Sequence, residues 1–177
     1  MTRLFVAIEI PKSLSDDISA AQSMIRSSVK TSAQMTFVDP RLMHITLKFI
    51  GEVNENAVQK IKAALCSISF SPFSIQVKRI ELNSKKQPRV LWLSLHTSPP
   101  LVELATSVEQ ILTPFGIERE KREYNPHITL ARIKRSSPEL ISAVASVRDS
   151  IECTFPVTDF VLKKSVLTPS GPIYSDV

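Results

Sequence analysis

The tetrapeptide His-Ile-Thr-Leu occurs twice in this chain of 177 residues, at His44 to Leu47 and again at His127 to Leu130, 83 positions apart. That spacing is close to half the chain and points to an internal duplication. The surrounding pattern agrees. LFVAIEI (Leu4 to Ile10) alternates like a strand and stops at Pro11, and Ser13 or Ser15 then caps a helix running to about Val29. QMTFV is a short strand, MHITLKFI (Met43 to Ile50) a strong one stopped by Gly51, and Asn54 or Glu55 opens a second helix. FSIQVKRIEL (Phe73 to Leu82) closes the unit as a strand.

The second half repeats this order. VLWLSL is followed by apolar residues at helical spacing from Leu101 to Leu112, and Gly116 to Glu123 reads as a short strand. HITLARI (His127 to Ile133) is a strand, Ser137-Pro138 starts a helix, and Cys153 to Leu167 is one last extended segment. The expected fold is α+β: two pseudo-symmetric lobes, each an antiparallel sheet backed by two helices, with a central active-site cleft. Residues 1–177 read as a single bilobal domain whose repeat halves are roughly 1–85 and 86–177.

Side chains alternate along a strand, so His44 and Thr46 share one face while Ile45 and Leu47 share the other; His127 and Thr129 repeat the arrangement. Facing pairs make a pocket of two imidazoles and two hydroxyls. In-line displacement at phosphorus needs a base for the nucleophile and an acid for the leaving oxygen, and histidine can serve as either near neutrality. Threonine hydroxyls can donate to the non-bridging oxygens. Neither a cofactor nor a metal is expected. The third histidine, His96, falls at the end of a strand far from the motifs and reads as an ordinary residue.

Composition narrows the alternatives. Three widely separated glycines leave no glycine-rich phosphate loop, so side chains must hold any bound phosphate. The formal charge of +5 lies wholly in residues 1–88, which suits RNA but is also the charge of an ordinary solvated surface. Cys66 and Cys153 form no framework and read as small buried apolar side chains in a reducing cytosol. The N-terminal apolar run is too short for a signal peptide or membrane span, so a cytoplasmic protein without a membrane partner is expected, and a monomer.

FVAIEIP, HITLKFIGEV, PRVLWLSL, PHITLARI and LKKSVLTPSGPIY, spread over nearly the whole chain, resemble the RNA 2′,3′-cyclic phosphodiesterase family of the two-histidine (2H) phosphoesterase superfamily. The last segment is most similar to archaeal members. The resemblance implies hydrolysis of RNA 2′,3′-cyclic phosphate ends to 2′-phosphomonoesters, with His44 as proton donor and His127 as proton acceptor. Thr46 and Thr129 would hold phosphate oxygens. It also implies reversible 2′-5′ joining of RNA, tRNA halves among the partners.

Arg132 matches a basic family position near the phosphate, although strict alternation points it away from the pocket unless the strand bends. Lys48 shares the parity of His44 and is expected at the cleft mouth or simply in solvent. Tyr124 and Phe5 are candidates for base stacking, with core or rim packing the alternative. Family members continue past GPIY into a further strand, whereas this chain stops at Val177, which leaves that strand absent or supplied otherwise. Two other readings compete: a non-enzymatic module that binds RNA ends, and a phosphodiesterase acting on small cyclic nucleotide phosphates.

Overall fold

The computed structural model describes every residue except Lys85 and Ser170. The expected boundary between the repeat halves and one position of the Leu162–Tyr174 segment therefore lie outside the described residues. In chain order the elements are β1 (Thr2–Glu9), α1 (Lys12–Val29), β2 (Gln34–Phe37), β3 (His44–Val53), α2 (Glu55–Cys66) and β4 (Phe73–Leu82). The second half supplies β5 (Val90–Leu95), α3 (Pro99–Leu112), β6 (His127–Arg135), α4 (Pro138–Ser146), β7 (Thr154–Val157), β8 (Val161–Thr168) and β9 (Gly171–Asp176).

All these strands join one sheet in the order β7-β4-β5-β6-β3-β1-β8-β9, with β2 beside β6, and every described pairing is antiparallel. The order interleaves the sequence halves: β4 pairs with β5, and β8 with β1. The two motif strands meet where β3 and β6 are paired through Ile45↔Ile128. Both isoleucines are fully buried, and each contributes about 1.5–3 kcal/mol through burial. The apolar stripes of the helices, including Leu14, Ile18 and Ile25 of α1 and Leu101, Leu104 and Val108 of α3, pack into the same core as Leu4, Val6, Leu91 and Leu93 from the sheet.

Several boundaries differ from the sequence pattern. Helix α1 starts at Lys12 with Pro11 in the capping position and no side-chain cap, so Ser13 and Ser15 lie inside its first turn. Helix α3 takes Pro99 and Pro100 into its first turn, where the missing N–H groups cost nothing. Asn54 and Ser137 do cap α2 and α4, accepting from the amides of Ala57 and Leu140. Residues 116–123 are irregular rather than a strand: their side chains are mostly charged, and the Glu120 amide is taken by the Glu109 carboxylate.

The last extended stretch breaks into β7 and β8, and Gly171–Asp176 forms the strand β9 as an edge partner of β8. The GPIY segment therefore itself supplies the closing strand. The cysteines also differ from expectation, because Cys66 at the end of α2 is exposed and Cys153 is only half-buried.

Candidate active site

The register Ile45↔Ile128 places Thr129 across from His44 and His127 across from Thr46. All four are partly exposed, while Ile45, Leu47, Ile128 and Leu130 are buried beneath them. The histidines thus stand diagonally, at about the 7–8 Å expected of diagonal neighbours in an antiparallel pair. A cavity of about 550 Å³ opens on the Thr46 and His127 side of this group, its lining including Lys48, Phe49, Trp92, Glu109 and Tyr124.

Each imidazole is held the same way. Nδ1 of His44 lies 2.8 Å from the carbonyl oxygen of Leu42, and Nδ1 of His127 lies 2.8 Å from that of Asn125. A carbonyl only accepts, so Nδ1 carries the proton in both rings and Nε2 is left for chemistry, as a lone pair or as a second N–H. The rings are also clamped by aromatics: Phe5 at 4.7 Å and Tyr174 at 5.5 Å from His44, and Trp92 at 4.6 Å from His127.

Burial under Phe5 and Tyr174 pushes the His44 pKa below its ordinary value. The Leu42 hydrogen bond and Glu9 oppose that shift, while Lys163 and His127 add to it. Lys163 bridges Glu9 at 2.7 Å and Asp176 at 2.6 Å. Glu9 stands directly across from His44 in the β1–β3 register. The negative charge of a bound phosphodiester would favour the imidazolium and counter the burial.

Two bulges decide what else reaches the cleft. In β6 the register slips at Leu130, so that Leu130 and Ala131 are both buried and the alternation resets. Arg132 is thereby exposed on the face of His127 and Thr129, with its neighbour Ile133 buried. Its guanidinium is near enough to Tyr174 to counter part of the rise that burial imposes on that phenol. Strict alternation therefore ends before Arg132, through a register shift in the strand.

The same slip occurs in β3, between the pairs Ala7↔Thr46 and Val6↔Lys48. Here it changes the setting expected for Lys48, which is 3% exposed and bonded to Glu109, lining the inner wall of the cavity rather than standing in solvent at its mouth. Phe49 lines the same cavity and is 65% exposed. A bulky aromatic left in water beside the two histidines was not foreseen from the sequence, because simple alternation buries it. Gly51, at φ 85°, accommodates a further slip and lets β3 continue to Val53 rather than stop.

Trp92 and Tyr174 were likewise missed as ring partners of the histidines. The signal was available for Trp92 only as a strand neighbour of unknown register. Of the aromatics singled out from sequence, Phe5 packs against His44 and is buried, and Tyr124 donates from its hydroxyl to the Thr46 carbonyl at 3.1 Å. Both serve the walls of the site. His96 stands at the end of β5, exposed. Among the described residues no group of three or more His, Cys, Asp or Glu is placed to hold a metal ion, and no helix is long and apolar enough to cross a membrane.

Paired His-x-Thr strands facing one cleft across an antiparallel seam define the two-histidine class of phosphoesterases. The family model "LigT like Phosphoesterase" matches residues 8–92 and 94–174. The RNA 2′,3′-cyclic phosphodiesterase of Archaeoglobus fulgidus is 34% identical over 176 residues, covering 99% of this chain and 97% of the relative. That of Aeropyrum pernix is 37% identical over 155 residues, covering 85% and 88%. Among solved structures, TT0787 of Thermus thermophilus superposes with a TM-score of 0.82 at 24% identity over 99% of this chain and 94% of its own. E. coli LigT complexed with 3′-AMP gives 0.81 at 24% identity over 99% and 95%. These two likenesses are of fold. The chain belongs to the LigT-like phosphoesterase family.

Proposed function

We propose that this chain is an RNA 2′,3′-cyclic phosphodiesterase that opens the cyclic phosphate to a 2′-phosphomonoester without a metal. The observation that carries the reading is the matched tautomer of His44 and His127, each with Nδ1 tied to a carbonyl and Nε2 left for the shared cleft. Relatives bearing that activity in their names, matched over nearly the whole chain, support it.

In this mechanism the cyclic phosphate lies between the two strands. His127 Nε2 takes a proton as water attacks phosphorus opposite O3′, the P–O3′ bond breaks, and His44 gives its Nε2 proton to O3′. Thr46, Thr129 and Arg132 donate to the non-bridging oxygens as charge builds on them. Turnover leaves His44 neutral and His127 protonated, so exchange with solvent resets the pair. With a ribose 5′-hydroxyl in place of water the same displacement makes a 2′-5′ linkage, which extends the reading to reversible joining of RNA ends, tRNA halves among them.

The reading takes residues 1–177 as one bilobal domain with halves 1–85 and 86–177, acting as a cytoplasmic monomer. Its test is hydrolysis of an oligonucleotide ending in a 2′,3′-cyclic phosphate, in the presence of a chelator. The expected product keeps phosphate on the 2′ oxygen, and His44→Ala or His127→Ala slows turnover by about 10²–10⁴-fold. Binding without turnover would instead identify an RNA-end binding module, and turnover of cyclic mononucleotides alone a small-molecule phosphodiesterase.

A further inference from the structure

Pairing between β3 and β6 at the seam is confined to Ile45↔Ile128, yet the chemistry above needs the two histidine strands held in fixed relative position. Polar side chains from two helices reach the seam: Glu109, which with Lys48 also lines the cavity, and Gln22. At the β3 bulge the Lys48 ammonium lies 2.7 Å from Glu109 Oε1 of α3 and donates to the Glu118 carbonyl at 2.6 Å. The other Glu109 oxygen accepts from the Glu120 amide at 2.9 Å. The side chains of Lys48 and Glu109 are only 2% and 16% exposed. Together they fix residues 118–120, the start of the stretch that ends in Tyr124, bonded to Thr46, and Asn125, whose carbonyl sets the His127 tautomer.

The other repeat has a counterpart. Gln22 of α1 is buried, and its amide donates at 2.9 Å to the carbonyl of Leu130 at the β6 bulge and at 2.9 Å to that of Val38. Val38 begins the stretch that ends in Leu42, whose carbonyl sets the His44 tautomer. Gln22 and Glu109 hold the same place on their helices, each directly after a buried apolar residue, Ala21 or Val108, in matching stripes. Each helix therefore ties a bulge in one half of the chain to the segment that delivers the histidine of the other half.

We propose that Lys48–Glu109 and Gln22 are two pseudo-equivalent staples made of positioning residues: the first orients His127, the second His44. A buried ion pair is a costly way to fill space, since apolar residues of like volume pack as well or better. Its benefit here is a fixed backbone path into the motif.

The proposal rests on the phosphodiesterase reading for its kinetic arm but has a second arm that does not. In the full-length protein, Lys48→Met, Glu109→Gln, the apolar pair Lys48→Met/Glu109→Leu and Gln22→Leu are compared with wild type and with Lys12→Met, which breaks an exposed pair on α1. Two kinds of measurement are made on folded protein: kinetics, giving kcat and KM on a cyclic-phosphate oligonucleotide, and imidazole ¹⁵N shifts, which report the tautomer of each ring.

The first three variants are expected to lower kcat by about 10-fold or more at little-changed KM, since small misplacements in a preorganised site cost that much or more. They also blur the single tautomer of His127 while sparing His44. Gln22→Leu gives the converse, and Lys48→Arg keeps the His127 tautomer. If Lys48→Met does not fold, Glu109→Gln and the apolar pair decide. Wild-type kcat with both tautomers intact in the apolar pair would overturn the proposal. If wild type turns over no cyclic phosphate, the functional reading fails, and the ¹⁵N pattern alone still decides the staples.

Discussion

Arg132 offers the sharpest perturbation, because only the β6 bulge brings it to the cleft. Replacing it with methionine keeps the aliphatic stem and removes the guanidinium. A hydrogen bond to a charged group is worth about 1.5–3 kcal/mol, so losing one in the transition state should slow turnover roughly 10- to 160-fold. The side chain is exposed and hydrated in the free protein, which favours the lower half of that range for one bond. A forked contact to two phosphate oxygens would move it to the upper half. Single-turnover hydrolysis of an end-labelled cyclic-phosphate oligonucleotide, at saturating enzyme, isolates the chemical step. Arg132→Lys should recover only part of the rate, since an ammonium cannot present the fork. Turnover by Arg132→Met close to wild type, or an equal loss in Lys134→Met farther along the strand, would refute the reasoning.

Three other outcomes follow from the geometry. His44→Ala and His127→Ala should each cost about 10²–10⁴-fold, and the double variant little more than the worse single, as the pair acts as a unit; multiplicative losses would indicate independent roles. Phe49→Ala should raise KM for cyclic-phosphate RNA while leaving the melting temperature nearly unchanged, because the ring is 65% exposed; a large loss of stability would make it a packing residue. Burial holds the His44 pKa down, whereas the unfolded imidazole titrates near about 6.5. The unfolded chain therefore binds the proton more readily, and the stability due to neutral His44 is present above that value and lost as pH falls through the folded one. Melts of wild type against His44→Gln should converge on acidification, and parallel curves would exclude the coupling.

What the sequence made legible was whatever depends on local pattern. The parity of His44, Thr46, His127 and Thr129 survives because all four precede the bulges. The caps at Asn54 and Ser137 are satisfied by amides three residues on, a purely local matter. Beyond Leu47 and Leu130 the pattern misleads, since a bulge is a property of two strands in register and neither strand encodes it alone. Lys48 thus lines the inner wall of the cavity while Phe49 is left exposed, and Arg132 moves to the cleft. The reading of residues 116–123 as a strand failed for a related reason: the segment is held by side chains outside it, Glu109 on the preceding helix and Lys48, 70 residues before Glu118. Nor does the pattern tell which strands of the two halves pair, and β4 and β8 each join strands of the other half.

Phe49 and Arg132 each stand five residues after their histidine, at matching places on the two strands. The inner quartet reads alike from either end, and a cleft made only of it would admit a phosphodiester in two opposed orientations. In one of them the leaving oxygen would meet the wrong imidazole. An apolar ring at one end and a cation at the other give the cleft a polarity, so that a substrate with a base on one side and an anion on the other fits in a single direction. Duplication furnishes two like histidines; the unlike residues at these sister positions add to the unlike rings packed on His44 and His127 in telling one from the other.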